Sequence, residues 1–269
     1  MSIDKHKIKK LLAHLGILLP AFRTYEYLKS FRTSGARIGE DGLLLPPNHL
    51  MVLVAGSSDS NWFVNIGREG AKSIEAILNK NGLSLSTFKK VLDFGCGCGR
   101  VIRFWKKLSG VEIFGTDYNQ KLVTWCSHNL PFAKFNINQL TPPLSYPANY
   151  FDFIYTLSVF THLPEKEQLL WLRELQRVLR PGGYLLITTQ GDYYLDKLDS
   201  AEKEKFQRGE LVVKYKDAAG SNLCSAYHPY KYIQNNFTDG FDVVDFIKEG
   251  AKGNPYQDAV LLKKIWQIT

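Results

Sequence analysis

The stretch Val91-Leu92-Asp93-Phe94-Gly95-Cys96-Gly97-Cys98-Gly99-Arg100 decides how this chain is read. Its first four residues make a short apolar strand that runs straight into alternating glycines. A strand that turns at once into a helix needs residues without a Cβ, and glycines also let a ligand approach the backbone. Gly-x-Gly-x-Gly alone is weak evidence. Asp117 strengthens it: a carboxylate ending the next strand, 22 residues after Gly95, suits a bidentate grip on a ribose diol. A dinucleotide fingerprint would place its third glycine at position 100, where Arg100 stands. The pattern fits a ligand with an amino-acid end in place of a pyrophosphate, and Asp93 is placed to help hold an ammonium.

Outward from this loop the chain alternates strand and helix. Apolar runs predict strands over 91–94, 111–116, 132–137, 151–157 and 184–189, with helices over 101–108, 121–129 and 165–179 between them. The helix over 165–179 carries Leu169, Leu172, Leu175 and Leu179 down one side and stops at Pro181-Gly182-Gly183. A further helix over 67–80 precedes the first strand. Such alternation implies an α/β fold, a mostly parallel doubly wound sheet whose ligand site lies beyond the carboxyl ends of the strands. After Gln190 the rhythm breaks for about fifty residues, far longer than an ordinary connection. It recovers as a closing pair of strands over 241–247 and 259–265. Breakers at Pro46-Pro47 and across 56–61 set off an N-terminal, partly helical extension. The expected organisation is therefore an extension over 1–60 and a ligand-binding domain over 61–269, with an insertion at about 191–240 shaping a substrate pocket.

These segments together resemble the class I S-adenosylmethionine (SAM)-dependent methyltransferases, of the small-molecule type. The glycine loop is similar to that family's motif I, and Asp117-Tyr118-Asn119 to its ribose-binding acidic tip. Asn138-Gln139-Leu140 falls where the family encloses the adenine, with Asn138 in place of the commoner Asp. Phe151–Tyr155 followed by Ser158-Val159-Phe160-Thr161-His162-Leu163 resembles the fourth strand and the loop beside the methyl group. Leu175–Gly183 resembles the turn into the fifth strand. The resemblance spans roughly residues 90–190 and implies a Rossmann-like, seven-stranded sheet with its last strand antiparallel. It also implies SAM as cofactor, held by Asp93, Phe94, Gly95, Cys96, Gly97, Gly99, Asp117, Tyr118, Asn138, Gln139, Leu140 and Ser158.

Composition bounds the rest. With 269 residues, 45% hydrophobic and 22% charged, the chain is one globular unit, and disorder, collagen and coiled coil are excluded. The net charge is +8, of which +5 lies in residues 1–32, leaving +3 for the other 237. Basicity gathered in an extension argues against a nucleic-acid partner, which a basic face on the main domain would serve. The Lys5–Lys10 stretch and the apolar run after it lack a small-residue cleavage site. They read as a helix of a cytoplasmic protein, docked on its own core or touching an anionic membrane surface. Four cysteines are too few for a disulfide framework, and Cys96-x-Cys98 is poor zinc geometry, so no metal is expected.

A hydroxyl acceptor needs a general base to accompany the sulfonium donor, and His162 and His228 are the candidates, with Tyr193 or Tyr227 orienting. Trp62 and Arg68 before the sheet, and Asn222 and Tyr227 in the insertion, are the candidate acceptor contacts. The expected reaction is methyl transfer to a small-molecule or glycan-like acceptor, with an amine acceptor, a nucleic acid or a non-catalytic SAM-binding module as alternatives. Asn254-Pro255-Tyr256 resembles the motif of enzymes that methylate base amino groups, but it stands after the wrong strand and reads as a turn.

Overall fold

The computed structural model describes residues 9, 12–13, 15–31, 38–253 and 256–266. Three helices open the described chain: α1 (Leu18–Lys29), α2 (Asn48–Ala55) and α3 (Ser60–Lys80). The α/β alternation follows as β1 (Lys90–Phe94), β2 (Glu112–Asp117), α4 (Gln120–Asn129), β3 (Lys134–Ile137), β4 (Phe151–Thr156), α5 (Glu165–Val178) and β5 (Leu179–Thr189). The insertion holds α6 (Ser200–Gln207) and the small strands β6 (Val212–Lys214) and β7 (Ser225–Tyr227). Then α7 (Tyr230–Asn236), β8 (Phe241–Ala251) and β9 (Gln257–Lys264) close the chain.

Among the described residues one sheet has the order β3-β2-β1-β4-β5-β9-β8. Neighbours from β3 to β5 pair parallel, and β9 runs antiparallel to both β5 and β8. The chain moves outward from β1 to β3 and then returns to β4, so the order reverses between β1 and β4. Alternation across the strands supplies both faces. Leu92, Ile154 and Ile187 pack with Trp171, Leu172 and Leu175 of α5 on one side. Val91, Phe153 and Leu186 pack with Ala71, Ile74 and Leu78 of α3 on the other.

Three expectations shift. α3 begins at Ser60, not at 67, because the Asp59 carboxylate accepts from the Trp62 N–H at 3.0 Å and caps it. The helix expected over 101–108 is reduced to one tight turn, Ile102–Trp105, pulled inward by the buried side chains of Ile102 and Trp105. Gly16, with φ +69°, breaks the apolar run that follows the basic stretch, and α1 begins beyond it at Leu18. Lys5, Lys7 and Lys10 of the basic stretch lie outside the described residues, as do Asn254 and Pro255.

The segments before the sheet are locked onto it. The fully buried Arg103 guanidinium pairs with Asp41 and donates from Nη2 to the carbonyls of Leu43 and Leu44, both at 3.2 Å. Cys98 Sγ donates to the Leu50 carbonyl of α2 at 3.7 Å.

Candidate active site

The glycine loop leaves β1 in a conformation only glycine adopts freely. Gly95, Gly97 and Gly99 have φ of +81°, +56° and +80°. A Cβ on Gly95 would stand 2.2 Å from Val159 Cγ2, and one on Gly97 would stand 2.7 Å from Val54 Cγ2 of α2. One on Gly99 would meet Leu130 Cδ1 at 2.4 Å. The first two glycines therefore let the β4 loop and α2 close on the turn, whereas Gly99 serves packing behind it.

The loop's donors are already engaged. Gly95 N–H and Cys96 N–H donate to the Thr116 carbonyl (2.8 and 3.0 Å), and Gly99 N–H to the Cys96 carbonyl (3.0 Å). Gly97 N–H donates to Asp117 Oδ2 at 3.0 Å. A pyrophosphate would find these four N–H groups occupied, which disfavours a dinucleotide on physical grounds. Cys96 and Cys126 both direct Sγ to the Gly97 carbonyl, while Cys98 turns to α2.

Two buried carboxylates face the same space. Asp117 accepts from Gly97 N–H and, at 2.9 Å, from Asn119 N–H, which fixes its position at the tip of β2. Burial raises its pKa to about 6 against these hydrogen bonds. Asp93 is pushed up to about 7 by burial, opposed by the Tyr155 hydroxyl and the nearby Arg100. Tyr155 is itself set by the Trp105 Nε1–H, which donates to its oxygen at 2.8 Å.

Around the carboxyl ends of β1, β2 and β4 opens a cavity of about 930 Å³. It is lined by most of the residues expected to hold the cofactor: Asp93 to Gly97, Asp117, Tyr118, Asn138, Gln139, Leu140 and Ser158. Asn138 is satisfied internally, accepting from Thr116 Oγ1 at 2.5 Å and donating to the Gln139 carbonyl at 2.6 Å. Ser158 has φ +60° and exchanges hydrogen bonds with the Gln257 amide, while its N–H donates to Thr188 Oγ1 at 2.8 Å. Trp62, Asn222 and His162 also line the cavity. The His162 ring is oriented by Nδ1, which donates to the Cys224 carbonyl at 2.6 Å, leaving Nε2 as the lone-pair nitrogen. Burial lowers its pKa, so the ring is neutral at physiological pH.

Other candidates lie elsewhere. His228 is fully buried away from the cavity, with Nε2 bonded to Gln168 Oε1 at 2.9 Å, and burial depresses its pKa to about 3. It orients Gln168, whose amide holds the carbonyls of Phe160 and Leu163 under the His162 loop. Tyr193 is half exposed and stacks on Tyr256 with ring centroids 3.8 Å apart. Tyr227 packs with Leu198, Phe206 and Val212. Arg68 pairs with Glu40 at 2.7 Å on the outside. Each was drawn from residue type alone, and tertiary packing turns each away. The structure adds Arg23 and Glu26 of α1, Arg100, Trp171, Tyr194 and Gln257 to the wall. No local motif marks them, because they arrive from five separate segments.

Residues 92–187 match a family described as a methyltransferase domain. A sterol 24-C-methyltransferase of Gibberella zeae is 29% identical over 58% of this chain and 40% of its own length. A phosphoethanolamine N-methyltransferase of Arabidopsis thaliana is 31% identical over 39% of this chain and 22% of its own. The chain thus spans well under half of these curated relatives. A solved SAM-dependent methyltransferase of Methanosarcina mazei superposes with TM-score 0.50 at 20% identity, over 66% of this chain and 93% of that one, and shares the fold.

Residues 92–187 thus match a methyltransferase domain, within a fold shared with a solved SAM-dependent methyltransferase.

SAM is the cofactor that the name of that solved structure carries, and the residues present here fit it. The turn at 95–97 is closed on by Val54 and Val159, its donors are spent internally, and both buried carboxylates line the cavity. Asp117 presents oxygen acceptors suited to ribose hydroxyls, and Asp93 a carboxylate suited to an ammonium. The fold also brings His162 and Ser158 to the same wall, so a candidate base and the two buried carboxylates share one enclosure.

Proposed function

We propose that this chain transfers a methyl group from SAM to a hydroxyl oxygen of a small or glycan-like acceptor, with His162 as general base. The observation that carries the reading is the His162 ring. The Cys224 carbonyl holds the proton on Nδ1, so the basic Nε2 belongs to a cavity-lining side chain that is neutral at pH 7. When bound, SAM supplies a methyl on a positively charged sulfur, already a strong donor. The chain's work is then to place the acceptor and receive its proton. Placement of this kind contributes ~7–11 kcal/mol, and a positioned base ~10²–10⁴-fold. Ser158, pinned by Thr188 and Gln257, gives the wall next to the base a fixed shape. Trp62 and Asn222 are the acceptor contacts that line the same cavity.

An amine acceptor is the second reading, favoured by the likeness to a phosphoethanolamine N-methyltransferase. The relatives' names include both carbon and nitrogen acceptors, so the acceptor atom is not carried over from them. The four cysteines are unpaired and buried, which fits a cytoplasmic setting.

The test is His162→Ala assayed with methyl-labelled SAM against panels of hydroxyl and amine acceptors. Turnover should fall by ~10²–10⁴-fold while S-adenosylhomocysteine affinity, read by calorimetry, stays as in the parent. Unchanged turnover removes His162 from the chemistry, and label appearing only on amines overturns the hydroxyl.

A further inference from the structure

The exposed side of α1 carries one charge, Arg23, at the cavity mouth. The other two charged residues of the helix, Glu26 and Lys29, are part-buried. Arg23 and Glu26 line the cavity, and the Lys29 ammonium donates to the Gly56 carbonyl. Glu26 meets Asn222 there, and burial raises its pKa. Outward stand Pro20, Thr24, Tyr25 and Leu28, followed by Phe31 in the turn after the helix. Tyr25, Leu28 and Phe31 recur every three residues, which places them on one side. They are 55%, 60% and 68% exposed. The Thr24 hydroxyl is bonded to the Pro20 carbonyl, which dries this face further. Leu15 and Ile17 extend it toward the N-terminus.

The helix is thus apolar on two sides, unlike the usual amphipathic helix with its single apolar stripe: Leu18, Leu19 and Phe22 pack with Leu223 and Cys224 of the insertion, while Tyr25, Leu28 and Phe31 stand outside. Contiguous exposed apolar surface of this kind marks an interaction site. The strip is continuous with the cavity mouth: Tyr27 is both largely exposed and part of the cavity wall, as are Leu53 and Trp62. It is also continuous in sequence with Lys5, Lys7, Lys9 and Lys10, and residues 1–32 carry +5. A second copy of the chain would set like charge against like charge there. An anionic lipid surface would meet the same residues with opposite charge, with aromatic and leucine side chains seated at the headgroup boundary.

We propose that α1 and the basic stretch before it seat this protein on an anionic phospholipid surface, with the mouth of the cavity opening at the bilayer interface. Tyr25, Leu28 and Phe31 enter the boundary between headgroups and acyl chains, and the lysines hold phosphates beside them. Among the described residues no helix is long and apolar enough to cross a membrane, so the contact is peripheral. The proposal does not depend on which acceptor the site takes.

The full chain is sedimented with vesicles of phosphatidylcholine alone and of phosphatidylcholine with phosphatidylserine, at low and high salt. Binding is expected to the anionic vesicles, to fall with salt, and to be more than about tenfold weaker for Tyr25→Ser/Leu28→Ser/Phe31→Ser. S-adenosylhomocysteine affinity of that variant should equal the parent's, which shows that it is folded. A second variant, Lys5→Gln/Lys7→Gln/Lys9→Gln/Lys10→Gln, leaves the helix untouched and should lose the preference for phosphatidylserine. The proposal is overturned by parent protein that stays in the supernatant with anionic vesicles, or by binding that survives both variants. It is equally overturned by light scattering that shows a dimer which the triple serine variant dissociates, since the face would then belong to a second copy.

Discussion

His162 is neutral under working conditions because burial penalises the imidazolium more than the Cys224 carbonyl favours it. A base must be unprotonated to act, so a depressed pKa extends its working range toward acid. At saturating SAM, the acid limb of kcat with a hydroxyl acceptor should therefore fall below pH 6.5, the ordinary histidine value. A limb at or above that value would assign the titration to another group. The glycine loop gives a second test at this scale. Alanine at position 95 would hold φ +81°, a left-handed conformation that costs about 1–2 kcal/mol for a residue with a Cβ. It would also drive that Cβ into Val159, three residues before His162. Gly95→Ala should lower the melting temperature and weaken S-adenosylhomocysteine binding together. Calorimetry showing parent-like affinity would mean that the loop does not form the cofactor wall.

At the scale of elements, the segments before the sheet are part of the site and not an appendage. Val54 of α2 closes on Gly97, Leu50 receives the Cys98 thiol, and the Asp41–Arg103 pair ties the intervening loop to the turn after the glycines. Removing one partner of a buried ion pair leaves the other charge unmatched, at about 3–5 kcal/mol. Asp41→Ala should therefore lower unfolding stability by that order in urea titration, and a change within experimental error would show that the pair is not structural. This coupling explains which parts of the molecule were legible in the sequence. Strands β1, β2, β4 and β5, the glycine turn and Asp117 are written locally, as apolar runs, missing side chains and a fixed offset. α1 is less legible because it is apolar on two sides: Leu18, Leu19 and Phe22 pack on the insertion while Tyr25, Leu28 and Phe31 stay exposed, so periodicity does not fix the buried side. Tyr193, Tyr227 and His228 are aromatic and imidazole groups of the insertion, but Tyr193 stacks on Tyr256 while β7, paired with β6, carries Tyr227 and His228 into core contacts. Arg23, Glu26 and Gln257 reach the cavity only through the tertiary fold, which no short window of sequence contains.

The whole molecule collects buried acids at one edge of its sheet. Asp93 ends β1 near Phe94, Asp117 ends β2, and Asp258 on antiparallel β9 sits opposite Thr189 at the end of β5. Burial is the leading cause for all three, raising Asp93 to about 7 and Asp117 and Asp258 to about 6 from the ordinary value of 3.8. The native state therefore binds more protons than the unfolded chain between those limits, and stability through these groups falls as pH rises across that window. The ligand-free protein should melt higher near about pH 5.5 than near about pH 7.5, the reverse of the usual carboxylate behaviour. SAM-type ligands act in the opposite direction. An ammonium beside Asp93 and hydroxyls donating to Asp117 favour the ionised carboxylates, so binding near neutral pH must expel a fraction of a proton. Calorimetric titration of S-adenosylhomocysteine in two buffers of different ionisation enthalpy reads that proton directly, as a difference in observed heat. Asp93→Asn should diminish both the difference in heat and the fall in melting temperature with pH. Equal heats in the two buffers would detach the buried acids from the ligand, and with them the assignment of this cavity as the cofactor's.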